Sequence, residues 1–456
     1  MRTRQMDRWT LAAACVAAVA MQPAFAQDKK RPETPVSPKP SPTRPTPTPT
    51  PKPTPKPTAK PEGKPEAKPT AAAKPRSFFE VVRAFAGRWD RDHNGVISEA
   101  EIDALVIDPF VKGDHAAAVG AIKNYMRIWG SLMPQLTPEY LAAEEKRSKP
   151  SPEDDKEPSL TEFSFGLDWN KAYTDALKRI SVSGRELYKN DKLDITQFHQ
   201  GQLGDCYFVS LLGGMVHRNP DAVRRMITPL PNGGYKVSFG DDRPVTITGL
   251  TDAEIATSST TGDEGLWVAV FEKAFGTLRR RQFPNEHKDT KVATDTIAQG
   301  GSPTTTIRVL TGKEPDEIAL RDSTGEVRVV DGQRVTQVKP VATESEVTRI
   351  VREKIIAALS RNKLVGVGTF PERLPPGISG QHAYAVVGYD KATDRLEVWN
   401  PHGNTHTPRG EPGLKFGYPT KAGLFWVPAS DFPHIFAVAF VEADRSAVTE
   451  GQRGGN

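Results

Sequence analysis

The chain has 456 residues, which is enough for two or three domains of ordinary size. Its formal net charge of +5 divides into +2 for residues 1–26, +8 for residues 27–76 and −5 for residues 77–456. Because the basic residues of 27–76 are spaced by prolines and have no aromatic neighbours that could stack on bases, the composition excludes nucleic acid as the main ligand.

Residues 1–26 have the features of a secretory signal peptide. Three arginines precede an apolar run over 9–21, and the segment ends in Ala24-Phe25-Ala26, a small-residue cleavage pattern. The run is shorter than the ~20 residues that span a bilayer, and no later stretch is apolar enough to do so. We therefore expect cleavage near Ala26 and export, to a periplasm or to the medium, of a protein without a transmembrane span.

Residues 27–76 repeat Lys-Pro and Thr-Pro units and contain almost no apolar residues. Such a segment cannot bury a core, so we expect a disordered, polyproline-like linker. Its positive charge either only keeps the linker soluble, which we favour, or also holds the protein loosely against an anionic surface.

From Ser77 the sequence predicts a small all-α module over 77–150 that contains an EF-hand. Apolar residues at helical spacing lead into residues 90–101, which have the pattern of a twelve-residue calcium loop with Gly95 at its sharp turn. The predicted Ca²⁺ ligands are the side chains of Asp90, Asp92 and Asn94, the carbonyl of Val96, Ser98 through a water molecule, and both oxygens of Glu101. We find no second loop with this pattern, although EF-hands normally occur in pairs.

A polar break with three prolines follows, and we interpret 151–180 as a connecting segment. Beyond it, helical and strand patterns are mixed, so we expect an α+β fold. The clearest elements are helices at 168–180 and 206–218 and strands at Tyr235–Phe239, Val245–Ile247, Ala383–Tyr389 and Arg395–Trp399. The polar segment 284–306 is interpreted as a mobile loop near a cleft, although an ordinary surface loop would have the same composition.

Cys206 is the only cysteine that remains after signal-peptide cleavage, because Cys15 is removed. It lies in Gln-Gly-Gln-Leu-Gly-Asp-Cys-Tyr-Phe at 200–208, where we expect Asp205 to cap a helix whose first turn holds the thiol. A helix N-terminus favours the reactive thiolate. Gln200 is then a candidate oxyanion donor together with the backbone N–H of Cys206. The alternative is that Cys206 is only a small buried apolar residue.

His382 and Asn400 complete a candidate catalytic set. His382 stands at the start of one predicted strand and Asn400 just after the next, so neighbouring strands can present both side chains at one edge. His382 would take the proton of Cys206 and later protonate the leaving amine, while Asn400 would orient the imidazole. The less favoured alternatives for the base are His199, His217 and His402.

Five segments together resemble the calpain family of papain-like cysteine peptidases. They are residues 200–208, 265–275, 380–386, 400–403 and 423–432, and they fall in family order over about 181–445. Tyr207 and His402 depart from the family pattern, because each stands where calpains usually have tryptophan. We expect His402, in place of tryptophan, to make the site wetter and to alter the pH profile of its activity.

The resemblance implies a two-lobed papain-like core, with the cysteine in lobe 1 (181–311), the histidine and asparagine in lobe 2 (312–445), and a disordered tail over 446–456. It also implies a calpain-like endopeptidase that hydrolyses proteins or peptides through an acyl-enzyme on Cys206, and together with the predicted signal peptide we expect a bacterial-type, exported member of that family. Because the sequence also predicts an EF-hand, Ca²⁺ is the expected cofactor. It would either regulate the peptidase activity or only stabilise the helical module.

A second hypothesis is a catalytically inactive, calcium-dependent protein-binding or scaffold module, which the two tryptophan replacements keep open. A third, acyl transfer to an amine, ranks below both because nothing in the sequence identifies an amine acceptor.

Overall fold

The computed structural model describes residues 76–148, 167–240, 243–330 and 333–447, and over 323–330 and 333–334 it describes the backbone alone. The predicted signal peptide, nearly all of the predicted linker, and most of the connecting segment and tail lie outside these residues. Within them, no helix is long and apolar enough to cross a bilayer.

Five helices form the first part of the described chain, and their apolar faces share one core. They are α1 (Phe78–Trp89), α2 (Glu99–Val106), α3 (Gly113–Trp129), α4 (Pro138–Arg147) and α5 (Trp169–Val182). Ser77 and Ser98 start α1 and α2 with capping boxes, which satisfy N–H groups at both helix starts. Phe78 stacks on Trp169 with ring centroids 4.9 Å apart. This contact packs α5 against α1, although the two helices are far apart in sequence.

The loop between α1 and α2 pairs with the turn between α3 and α4. The N–H of Ile97 donates to the carbonyl of Leu136 at 3.0 Å in an antiparallel bridge. In each loop a hydroxyl N-cap accepts a hydrogen bond from the N–H three residues later, that of Glu101 in the first and that of Tyr140 in the second. The second helix–loop–helix unit has no acidic side chain at the matching ligand positions, so no sequence motif revealed the pair.

The next part of the described chain contains a core helix that begins at Cys206, four further helices and a small antiparallel sheet. These elements are α6 (Cys206–Arg218), α7 (Pro220–Arg225), α8 (Asp252–Thr257), α9 (Trp267–Gln282), α10 (Pro303–Thr311), β1 (Ile227–Pro229), β2 (Tyr235–Ser238) and β3 (Pro244–Ile247). α6 is apolar on all faces, which is typical of a core helix. Gly213 of α6 permits close packing, because a Cβ there would lie 2.2 Å from the ring of Trp399.

An antiparallel seven-stranded sheet forms the last part of the fold, in the order β10-β11-β9-β8-β7-β12-β4. The strands are β4 (Lys313–Ala319), β5 (Arg321–Val330), β6 (Gln333–Pro340), β7 (Val365–Gly368), β8 (Ala383–Asp390), β9 (Arg395–Trp399), β10 (Thr420–Lys421), β11 (Leu424–Pro428) and β12 (Val438–Ser446), of which β5 and β6 form a separate hairpin. The remaining helices are α11 (Glu344–Ile350), α12 (Ala357–Ser360) and α13 (Phe432–Ile435), with a π-helical turn at 351–356 between α11 and α12. α6 packs against β8, and this contact joins the helical part to the sheet.

The predicted α+β class is confirmed by this combination of helices and antiparallel sheets. The helix predicted at 206–218 and the strand predicted at Arg395–Trp399 have these bounds in the structure.

The prediction of a loop throughout 284–306 is wrong in its second half. A 3-10 helix occupies 293–297 and α10 begins at Pro303. Val292 and Ile297 are fully buried, so apolar packing fixes a stretch that is polar on average.

Candidate active site

Cys206 is half-buried and is the first residue of α6. The N–H groups of Phe208 and Val209 donate to the carbonyl of Asp205 at 2.8 and 3.0 Å, so helical bonding begins immediately after the thiol. The N–H groups at a helix start carry partial positive charge that is not neutralised within the helix. This position favours a thiolate at Cys206.

Our expectation that the side chain of Asp205 caps α6 is wrong. The carboxyl group makes no capping hydrogen bond and is fully buried. It is hydrogen-bonded instead to the side chain of Glu272 on α9, which is also fully buried. Desolvation, and next the charge of Glu272, raise the pKa of Asp205 well above its usual range. The sequence could not reveal this turn toward the interior, because Glu272 lies 67 residues away in the printed sequence.

Two glycines let the chain ahead of Cys206 fold tightly. A Cβ at Gly201 would lie 2.4 Å from the carbonyl oxygen of Ser258, and one at Gly204 would lie 2.4 Å from that of Ala298. Gly204 also exchanges backbone hydrogen bonds with the strand-like segment 298–301, which we call the cleft wall. Glycine is therefore required at both positions, because any side chain would meet a backbone carbonyl.

Gln200 is 6% exposed and connects the two parts of the site. Its backbone N–H donates to the carbonyl of Pro401 at 2.7 Å, and its side-chain Nε2 donates to the carbonyl of Leu203 at 2.6 Å. The second bond orients the amide so that the donor nitrogen faces the Cys206 segment. Because an amide nitrogen carries two hydrogens, one more is available for an oxyanion.

His382 and Asn400 meet at one end of two interior strands of the sheet, immediately before β8 and immediately after β9. These strands are paired, with Ala385 opposite Trp399. His382 Nε2 lies 2.9 Å from Asn400 Oδ1, and the two residues are 7% and 1% exposed. An amide oxygen only accepts, so Nε2 carries the proton and Nδ1 is the basic nitrogen. The structure thus brings together the two side chains that the sequence predicted would meet.

The environment of His382 favours its neutral form. Burial, and next the nearby His402, lower the pKa of His382 well below its usual value, while the hydrogen bond that His382 donates to Asn400 acts in the opposite direction. The ring of His402 stacks on that of His382 with centroids 4.0 Å apart. The expectation of a wetter site is therefore wrong at the base itself, because the imidazole of His402 covers it as a flat ring.

His402 also contacts the third member of the set, since its N–H donates to Asn400 Oδ1 at 3.0 Å. Desolvation, and then the nearby His199, lower the pKa of His402. His402 is nevertheless exposed, so its pKa is lowered less than the pKa of the buried His382. Among the histidines of the described ranges, only His382 has a ring nitrogen bonded to Asn400.

Tyr207 is buried beside the cleft wall, and sequence reasoning missed its main partner. Its hydroxyl accepts a hydrogen bond from Arg279 of α9 at 2.9 Å. A Cβ at Gly301 would lie 2.3 Å from the Tyr207 ring, so the wall packs directly on the ring. Arg279 lies seven residues after Glu272 on the same helix, but nothing in the sequence indicated that this helix supports the nucleophile.

Comparisons with known proteins agree with this geometry. The family model described as calpain family cysteine protease matches residues 169–410, which is more than half of the chain and includes Gln200, Cys206, His382 and Asn400. The helical module over 76–148 lies outside the match. No curated protein matches the chain. Membership of this family indicates a cysteine peptidase with protein or peptide substrates, and the chain belongs to the calpain family of cysteine proteases.

Proposed function

We propose that this chain is an endopeptidase that hydrolyses peptide bonds through an acyl-enzyme on Cys206. The observation that carries the proposal is the buried pair of His382 Nε2 and Asn400 Oδ1, 2.9 Å apart, at one end of the paired strands β8 and β9, where α6 packs against β8. A fixed, neutral imidazole with its Nδ1 unprotonated is what a general base for a thiol requires.

Acylation begins when Nδ1 of His382 takes the proton of Cys206 and the thiolate attacks the scissile carbonyl carbon. The oxyanion that forms accepts hydrogen bonds from the N–H of Cys206 and the amide of Gln200. His382 then protonates the leaving amine, the C–N bond breaks, and a thioester remains on Cys206. In deacylation His382 takes a proton from water, the hydroxide attacks the thioester, and the acid product leaves as the thiol is regenerated.

Hydrolysis of an unfolded protein by the full chain under reducing conditions tests this function. We expect turnover by the wild type and none by Cys206→Ala. Equal turnover by both proteins would contradict the proposal.

The scaffold alternative is not favoured. Tyr207 and His402 were the features that kept it open, yet Tyr207 is held by Arg279 and His402 covers His382. Each replacement residue therefore makes a defined contact, Tyr207 with Arg279 and His402 with His382.

We further propose that residues 90–101 bind one Ca²⁺ as an EF-hand. Carboxylate oxygens of Asp90, Asp92 and Glu101 lie within 4.8 Å of one another, and Gly95 has the left-handed φ of +83° that the sharp turn needs. Although burial alone would raise it, hydrogen bonds from Ser98 and then from Arg91 lower the pKa of Glu101, which keeps this carboxylate charged. Hard oxygen donors in this order fit Ca²⁺.

The other proposed ligands follow the same loop. They are Asn94, the carbonyl of Val96, and Ser98 through a water molecule. The paired unit contributes a structural bridge at Leu136 and no acidic ligand at the matching positions, so we expect a single Ca²⁺ per chain.

Calorimetry on the full chain tests the calcium site. We expect one bound Ca²⁺ in the wild type and in the control Glu139→Ala, which removes an exposed carboxylate of the paired unit. The double variant Asp90→Ala and Glu101→Ala should lose binding. Undiminished binding in the double variant would refute this assignment.

Regulation by calcium, and not stabilisation alone, is supported by an ionic junction between α2 and the cleft wall. Lys123 of α3 is completely buried, and its Nζ contacts Glu99 at 3.0 Å, Asp103 at 2.5 Å and Asp295 at 2.8 Å. Glu99 and Asp103 belong to α2, which leaves the calcium loop. Asp295 lies in the 3-10 helix that runs directly into the cleft wall, and Arg127 also binds it at 2.7 Å. A shift of α2 on metal binding would therefore reach the segment that pairs with Gly204.

The ratio of activity with calcium to activity with a chelator tests this junction. We expect that ratio to fall toward one in Asp295→Asn, because the link to the wall is weakened while the calcium loop is intact. If calcium only stabilises the module, the ratio will be the same as in the wild type. Coupling between two binding equilibria is reciprocal, so a reversible inhibitor of the Cys206 site whose affinity depends on calcium should change the calcium affinity by the same factor.

We also propose export through the signal peptide at 1–26, with 27–76 acting as a spacer. Sequencing of the mature N-terminus tests the first point, and cleavage anywhere but near Ala26 would contradict it. Sedimentation of the full chain with anionic vesicles, at low and high salt, tests whether the linker also binds an anionic surface.

A further inference from the structure

Two fully buried carboxyl groups lie directly behind the nucleophile. Asp205 precedes Cys206 in the chain, and Glu272 lies on the neighbouring helix α9. A side-chain hydrogen bond joins the two groups. Since an ionised carboxylate can only accept, this bond requires that one of them carries a proton.

The surroundings decide which group is ionised. Both oxygens of Glu272 accept a hydrogen bond from the N–H of Ser259, at 3.0 and 3.2 Å. Within the described ranges, neither carboxyl oxygen of Asp205 accepts a hydrogen bond from another residue's N–H group. The positive charge of Arg179 interacts with Glu272, and that of Arg127 interacts with Asp205. The anion is therefore better stabilised on Glu272, and the proton belongs on Asp205.

We propose that Asp205 and Glu272 share one proton, and that the pair positions Cys206 while keeping the residue beside it uncharged. The hydrogen bond to α9 fixes Asp205, whose carbonyl accepts the first helical N–H groups of α6. An ionised Asp205 would instead place a second negative charge next to the thiolate. Like charges this close disfavour ionisation, so the thiol pKa would rise by about one unit or more. Both carboxyls act through Cys206 and contact no substrate.

The test is the apparent pKa of the Cys206 thiol in the full chain, read from the pH dependence of its alkylation by iodoacetamide. Asp205→Asn keeps a neutral donor to Glu272, so we expect the thiol pKa to stay within about 0.3 units of wild type. Glu272→Gln offers Asp205 an N–H donor and lets it ionise, so the thiol pKa should rise by about one unit and alkylation at neutral pH should slow up to about tenfold. The double variant should return toward the wild-type pKa. Asp263→Asn, an exposed carboxylate paired with Lys189, is the matched control.

Two results would overturn the inference: a thiol pKa that falls by a unit or more in Asp205→Asn, or one that is unchanged in Glu272→Gln. If a variant does not fold, infrared spectroscopy of the wild type decides, because a protonated buried carboxyl has a carbonyl band that carboxylates lack. Absence of that band at neutral pH would also overturn it. The inference deepens the proposed function but does not depend on turnover, since alkylation is measured without substrate. The thiol pKa values and the infrared band therefore test this inference even if the chain has no peptidase activity.

Discussion

Asn400→Ala removes the one oxygen that orients the proposed base. Asn400 Oδ1 accepts from His382 Nε2 at 2.9 Å and from the N–H of His402 at 3.0 Å. Water can replace the second bond because His402 is exposed, but His382 is only 7% exposed and its donor would lose its partner. In the transition state this donor belongs to an imidazolium, and a hydrogen bond to a charged group contributes about 1.5–3 kcal/mol.

That free energy corresponds to a loss in kcat/KM of about 10- to 150-fold. We expect the loss mainly in kcat, because Asn400 is proposed to contact the base and not the substrate. Asn400→Asp keeps an acceptor oxygen, so it should retain more activity and raise the pKa of His382. The assay is hydrolysis of a fluorogenic peptide under reducing conditions with calcium present.

Asn404→Ala is the matched control, since it removes a nearby amide whose Nδ2 donates to the carbonyl of Gly377 on the exposed surface. Asn404 is half-buried, and its loss leaves the His382–Asn400 hydrogen bond intact, so kcat/KM of this variant should stay within about twofold of wild type. A folded Asn400→Ala protein with kcat/KM equally close to wild type would refute the proposal that Asn400 orients His382.

Three further outcomes are expected. His402→Ala should raise the pKa of His382, because the substitution removes a neighbouring imidazole that lowers this pKa and lets water reach the ring. The acidic limb of the pH profile of kcat/KM follows deprotonation of His382, so it should move to higher pH. An acidic limb at the wild-type position would contradict this prediction. Calcium should raise the melting temperature of the full chain but not that of Glu101→Gln, as thermal unfolding with calcium and with a chelator will show. Gly213→Ala should destabilise the fold by about 1–3 kcal/mol in urea unfolding, because the new Cβ would lie 2.2 Å from the ring of Trp399. Gly87→Ala places its Cβ where no atom lies within 4 Å, so it should stabilise α1 by about 0.5–1 kcal/mol. Equal effects of the two substitutions on the free energy of unfolding would refute the packing argument.

The parts of the site that the sequence predicted depend on local pattern. The apolar run that starts at Cys206 predicted a helix, and the structure has one with the same bounds. His382 and Asn400 were expected to meet because each stands beside a strand, and the two strands are neighbours in sequence and in the sheet. Features that depend on residues close together in the chain can be predicted from the spacing of residue types alone.

What the sequence did not predict depends on contacts between distant residues. The side chain of Asp205 turns inward because Glu272 is there to hydrogen-bond it, and no pattern near Asp205 records that. Lys123 reads as an ordinary helical lysine, yet acids from two other elements neutralise it in the interior. Leu136 pairs with Ile97 of the 90–101 loop, although its own helix–loop–helix unit has no acidic residue at the matching positions.

Direct observation of the acyl-enzyme tests the central claim most closely. The full chain would be mixed with a slowly deacylating peptide ester, quenched in acid, and analysed by intact mass and peptide mapping. The account predicts one acyl group on the peptide that contains Cys206, slower acylation in Asn400→Ala, and no adduct in Cys206→Ala. An adduct that persists in Cys206→Ala, or ester turnover without any adduct on Cys206, would contradict it.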